Sequence, residues 1–166
     1  MRDSPSRCVV DTNVFIDFHR GGLLEALFRL PFVLLAPDVI VEELEIPDGE
    51  RLLRWGLESV SSSGVQVAAV SALAAVHRRP AVNDLFAFVV ARAEGAVLLT
   101  GDGALRELAE SEGMAVHGTL WLLDELVRLD IISGTQAAEK LERMVASGRR
   151  LPESECQLRI QRWRAG

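Results

Sequence analysis

The chain is 166 residues long, 49% apolar and 25% charged, with 24 acidic against 18 basic side chains and a formal net charge of −6. A chain of this size makes one domain and buries roughly 70% of its unfolded surface, which argues against disorder and against any need for disulfides or a structural metal. Cys8 and Cys156 stand far apart without CxxC or Cys/His spacing, against a secreted disulfide scaffold and against a zinc module.

The opening MRDSPSR is too polar for a signal peptide, and no apolar run approaches the ~18 residues of a membrane span. A cytoplasmic protein with no membrane partner is expected. The charge is unevenly spread: from Lys140 onward seven basic residues face three acidic ones, leaving residues 1–139 strongly negative. An acidic body argues against nonspecific DNA binding, and it is also how a site built from several carboxylates shows in the totals.

In chain order, Arg7–Val10 is short, β-branched and stops at Asp11-Thr12-Asn13, the pattern of a buried strand followed by a loop. Val14, Phe15 and Phe18 then predict a helix stopped by Gly21-Gly22, and Leu23–Leu30 another ended by Pro31. Phe32–Ala36 reads as strand and Val39–Glu45 as helix, with Asp38 as its N-cap. Leu52–Val60 is expected to be helical, Val65–Val70 strand, and Ser71–Arg79 and Asn83–Glu94 helices. Ala96–Thr100 is a third buried strand before Gly101-Asp102-Gly103. Leu105, Leu108 and Ala109 mark a helix ended by Gly113, Met114–Val116 a short strand, and Thr119 the cap of a helix to about Asp130. Two amphipathic helices follow from Thr135, broken at Gly148–Pro152. Strands alternating with helices predict a three-layer α/β/α sandwich on a mostly parallel sheet. Residues 1–132 would form that domain, and residues 133–166 a helical extension packed on it.

Residues just past the strands of a parallel sheet share one edge, where open α/β sheets bind ligands. Asp11 and Asp102 are delivered to that edge, and Asp84 in the first turn of a helix and Glu43 after the second strand are placed to lean over it. Glu42 competes with Glu43 for that place. Carboxylates held together repel unless a cation compensates them, and hard divalent ions take oxygen ligands. Each acid also has a plainer role: Asp84 and Asp102 stand where helix caps stand. His19 sits at a helix end, and His77 and His117 are isolated. Trp55, Trp121 and Trp163 read as core or interface anchors, with Trp163 suited to its own chain or a second copy.

The strings Val9-Val10-Asp11-Thr12-Asn13-Val14-Phe15-Ile16-Asp17, Pro37 to Leu44, Asn83-Asp84 and Leu98-Leu99-Thr100-Gly101-Asp102 together resemble the PIN domain family, including its VapC-like toxin ribonucleases. The resemblance runs from about Arg7 to Ile132, and the helical tail is similar to a subgroup of uncharacterised PIN-domain proteins. It implies a metal-dependent nuclease, with Mg²⁺ or Mn²⁺ held among Asp11, Glu43, Asp84 and Asp102. It implies that Asn13 and Thr100 orient those acids, and that RNA is the substrate. A small antitoxin protein is the implied partner, and a homodimer is expected. Many members carry a further acid just after the fourth, where this chain has Gly103. That departure implies one tightly held ion or a weak enzyme. A phosphodiester chain needs basic residues, for which Arg78, Arg79, Arg149 and Arg150 are the candidates, against a reading as solvated helix faces. Asp-x-Asn lacks the second acid of a haloacid-dehalogenase-type phosphotransferase. The remaining alternative is a silent PIN-like interaction module.

Overall fold

The computed structural model describes residues 6–166; the polar start of the chain, residues 1–5, lies outside them. Five strands form one fully parallel sheet: β1 (Ser6–Val10), β2 (Phe32–Pro37), β3 (Glu58–Val60), β4 (Val97–Leu99) and β5 (Val116–His117), in the order β3-β2-β1-β4-β5. The middle strands bury Cys8, Val9, Val10, Leu34, Leu35, Leu98 and Leu99, as a sheet covered on both faces requires.

Helices α1 (Thr12–Gly21) and α2 (Leu24–Leu27) join β1 to β2, and α3 (Asp38–Glu43) with α4 (Gly49–Arg54) leads to β3. Next come α5 (Gly64–Val76) and α6 (Val82–Glu94) before β4, then α7 (Gly103–Ser111) before β5. Last are α8 (Thr119–Arg128), α9 (Gly134–Ala146) and α10 (Glu153–Ala165). The chain leaves β1 towards β2 in one direction and returns from β3 to β4 in the other. Right-handed crossovers therefore put α1 and α6 on opposite faces. Buried Leu85, Phe88 and Val89 carry α6 across β1, β2 and β4, while Phe15 and Phe18 of α1 fill the other layer.

Four expectations give way to tertiary structure, the first being that Pro37, not Asp38, stands at the N-cap of α3. Val65–Val70 is the first half of α5, not a strand. Ser63 and Gln66 close a reciprocal capping box, and the alanines that follow favour helix, so the alternation of apolar residues misleads. Leu52–Val60 is not one helix. It ends at Arg54, and Glu58–Val60 pairs with Leu35–Pro37 as an edge strand. That strand is too short to show a period. Thr119 does not cap α8, since Gly118 stands at that position; its hydroxyl instead donates to Asp17 at 2.7 Å.

The last two helices form an antiparallel hairpin fastened to the body. A side chain at Gly134 would run into the backbone oxygen of Trp163, so glycine sets how closely α9 and α10 approach. Trp163 is buried within its own chain. Gly148, at φ 87°, turns the chain after α9 in the left-handed region and sends Arg149 back towards α1. Asp124 on α8 receives Arg159 at 2.8 Å and Arg162 at 2.5 Å from α10.

Candidate functional site

In this strand order the chain reverses direction between β1 and β4, and a doubly wound sheet opens a ligand crevice beyond the carboxyl ends of such a pair. Asp11 and Asp102 follow those two strands. Val10 is in register with Leu99, and the Asp11 amide donates to the Leu99 carbonyl at 3.0 Å, so Asp11 and Thr100 leave the sheet side by side. The Thr100 hydroxyl donates to the Asp11 carboxylate and accepts the Asp102 amide at 3.1 Å. One threonine thus ties both acids together.

Capping and site placement coincide here. Asp11 Oδ1 accepts the Val14 amide at 3.0 Å and starts α1, while Asp102 Oδ1 accepts the Leu105 amide at 2.7 Å and starts α7. Because α6 runs back along the sheet, its first turn lies at the same edge and carries Asp84 there. Asp11 is fully buried and Asp84 nearly so. Burial pushes the Asp11 carboxyl up to about 7; its hydrogen bonds to Thr100 and Val14 pull it down, and the charges of Asp84 and Asp17 push it up. Burial also raises Asp84, as does the neighbouring charge of Asp102. Asp84 therefore lies within the field of both other aspartates.

Glu43, at the end of α3, is exposed, and its carboxylate accepts a hydrogen bond from the Asn83 amide beside Asp84. Glu42 faces a different hollow, with Asp38 and Asp48. Of the two, Glu43 is the one turned to the start of α6.

Among the described residues, no three His, Cys, Asp or Glu side chains converge closely enough to form a ready metal site. The donor chemistry still fits a hard divalent ion: all four acids offer oxygen, two have raised carboxyls, and a cation would relieve their mutual repulsion. Mg²⁺ is commonly held by one or two carboxylates with waters, so a closed three-ligand cage is not required.

Asp17 is a carboxylate that sequence reasoning passed over. It is buried on α1, accepts Thr119 at 2.7 Å, and is paired with Arg149 at 2.5 Å. Its signal is a charge one helical turn after Asn13, set among Val14, Phe15 and Phe18 on the apolar side of the helix. Arg149 also donates to Asn13 at 3.2 Å. Asn13 is therefore engaged by the extension; among the described contacts it bonds to none of the four acids. Of the basic candidates, Arg149 is an internal tie rather than a free cation. Arg79 is paired with Glu107 at 2.7 Å on the surface, and Arg78 lies with it in a hollow against the side of α7. Arg150 remains exposed at the rim, where Asn13, Asp17, Asp102, Arg149 and Arg150 line a polar hollow of about 390 Å³.

A family model described as PIN domain matches residues 7–165, nearly the whole chain and including the helical extension. The chain belongs to the PIN-domain family. PIN domains are generally metal-dependent nucleases that use divalent ions. Among solved structures, a chain of the VapBC2 crystal structure from Rickettsia felis, bound to a DNA fragment from their promoter, is similar at 16% identity, with a TM-score of 0.47 over 68% of this chain and 98% of that one. No curated protein matches this chain.

Proposed function

We propose that this PIN-domain protein is a divalent-metal-dependent endoribonuclease of the cytoplasm. The observation that carries the reading is the convergence of three aspartates at the β1/β4 crevice, Asp11 and Asp102 joined through Thr100 and Asp84 within the field of both. Asp11, Asp84 and Asp102 would hold Mg²⁺ or Mn²⁺, which when bound polarises a phosphodiester and lowers the pKa of its water. Thr100 holds the Asp11 carboxylate against the Asp102 backbone, so neither acid swings when substrate arrives. Glu43, held by Asn83 and open to solvent, would accept a proton from an attacking water.

Incubation of the protein with labelled single-stranded RNA, with and without Mg²⁺ or Mn²⁺, tests the reading. Metal-dependent cleavage lost in Asp11→Asn supports it, and cleavage no greater than that of Asp11→Asn ends it. A toxin role, held silent by a small antitoxin protein, belongs to the same proposal. Growth arrest on expression alone, absent with Asp11→Asn, is its measurement. The exposed Val65 and Val76 share one side of α5 and offer an apolar face to a partner or to a second copy in a homodimer. A second reading, a PIN-domain module with weak or no catalysis, is favoured by Gly103 in place of a further acid and by the open spacing of the acids.

A further inference from the structure

On the other side of the Gly101–Gly103 turn lies a second and larger hollow, about 510 Å³, between the β5–α8 turn and the helical extension. It shares Gly101, Gly103 and Arg150 with the hollow at Asp102, so the two adjoin along that turn. Its charge is opposite to that of the acid crevice. Arg106, Arg150 and Arg159 line it against Glu155 alone. Arg159 is neutralised by Asp124 at 2.8 Å and by Glu155 at 2.7 Å. Arg106 reaches only the Thr100 carbonyl, at 3.4 Å, and among the described residues neither Arg106 nor Arg150 meets a carboxylate.

These two guanidiniums are placed by design of the chain. A side chain at Gly118 would come within 3.0 Å of the Arg106 guanidinium, so glycine there leaves room for it to lie over the turn. Arg150 follows Arg149, whose pairing with buried Asp17 and with Asn13 pins the loop to α1. An otherwise acidic protein thus presents two uncompensated cations beside its carboxylates. Guanidinium is the group best matched to phosphate geometry.

We propose that this trough, with Arg106 on one wall and Arg150 on the other, binds the phosphodiester backbone of single-stranded RNA on one side of the bond to be cut. The proposal rests on the nuclease reading for its purpose, but its test does not. Binding of a fluorescent single-stranded RNA is measured by anisotropy in chelator, where cleavage cannot intervene, for the native chain, Arg150→Gln, Arg106→Gln and the double variant. Each single variant is expected to weaken binding about 5–10-fold and to lower the slope of log K against log salt by roughly 0.7. Arg150 is exposed, so its variant tests the idea even if Arg106→Gln folds poorly, and Arg106→Lys should recover part of the loss. Loss of binding in Arg78→Gln/Arg79→Gln with none in the Arg106 and Arg150 variants would overturn the proposal. So would displacement of the RNA by polyglutamate as readily as by unlabelled RNA, or no RNA binding at all. RNA held through Arg106 and Arg150 but never cleaved would keep the trough and end the nuclease reading. Cleavage with binding indifferent to both arginines would do the reverse.

Discussion

The acid crevice and the arginine trough meet at one turn, yet they are built in different ways. Asp11 and Asp102 are each positioned within a few residues of a strand end and held by the amides of the helices they start. Arg149 and Arg150 reach the same rim from the far end of the chain, through a glycine turn and an ion pair that spans 132 positions. Local chain geometry places Asp11, Asp102 and, on the helix that Asp102 starts, Arg106; long-range pairing places Arg149 and with it Arg150. The first kind of placement is rigid because the backbone supplies it. The second lasts only as long as its ties.

The largest expected effect breaks the acid side alone. Asp11→Asn should lower metal-dependent RNA cleavage by about 10²-fold or more while the fold persists, because the amide keeps the Val14 cap but not the charge. Cleavage rates and circular dichroism on the same preparation check it. The tie on the basic side breaks differently. Arg149→Ala should cost about 3 kcal/mol, roughly 6–12 °C in Tm, and more than Asp17→Ala. The reason is that Asp17 stays buried when Arg149 is lost, whereas Arg149 can turn to solvent when Asp17 is lost. Equal losses in the two variants would mean that the pair is not the tie.

A smaller effect separates the two regions by pH. The Asp11 carboxyl rises from 3.8 to about 7 on folding, so between those values the folded protein holds a proton that the unfolded chain has released. Stability in metal-free buffer is therefore present below about 4 and falls as pH rises through about 7. Tm should decline from pH 5 to pH 8 in chelator, recover on adding Mg²⁺ or Mn²⁺, and lose most of this slope in Asp11→Asn.

The smallest effect restores a missing acid. A side chain at Gly103 would meet nothing within 4 Å. Gly103→Asp should fold normally and change stability by no more than about 1 kcal/mol. It should also tighten Mn²⁺ binding a few-fold, read by calorimetry. Unchanged affinity would separate Gly103 from the metal question.

Much of the site was legible because its signals are local. A buried strand ending in Asp-Thr-Asn, and another ending in Thr-Gly-Asp, point to one edge of any parallel sheet. Glu43 could not be chosen over Glu42 from sequence, since only the packing of α3 against α6 brings one of them to Asn83. Arg149 and Arg150 looked alike as neighbours in a basic tail, and their different fates depend on Asp17, whose burial against Thr119 and Arg149 no short stretch of sequence shows.

The order of apolar runs, glycines and capping residues determined, by itself, an α/β chain with its acids at the ends of strands, because burial and backbone hydrogen bonding act over a few residues at a time. Tertiary structure alone decided that β4 lies beside β1, so that acids 91 positions apart flank one crevice, and that the C-terminal hairpin folds back to lend it arginines. Strand order and long-range ion pairs arise from how faces of different elements cover one another, and no stretch of chain carries that choice within itself.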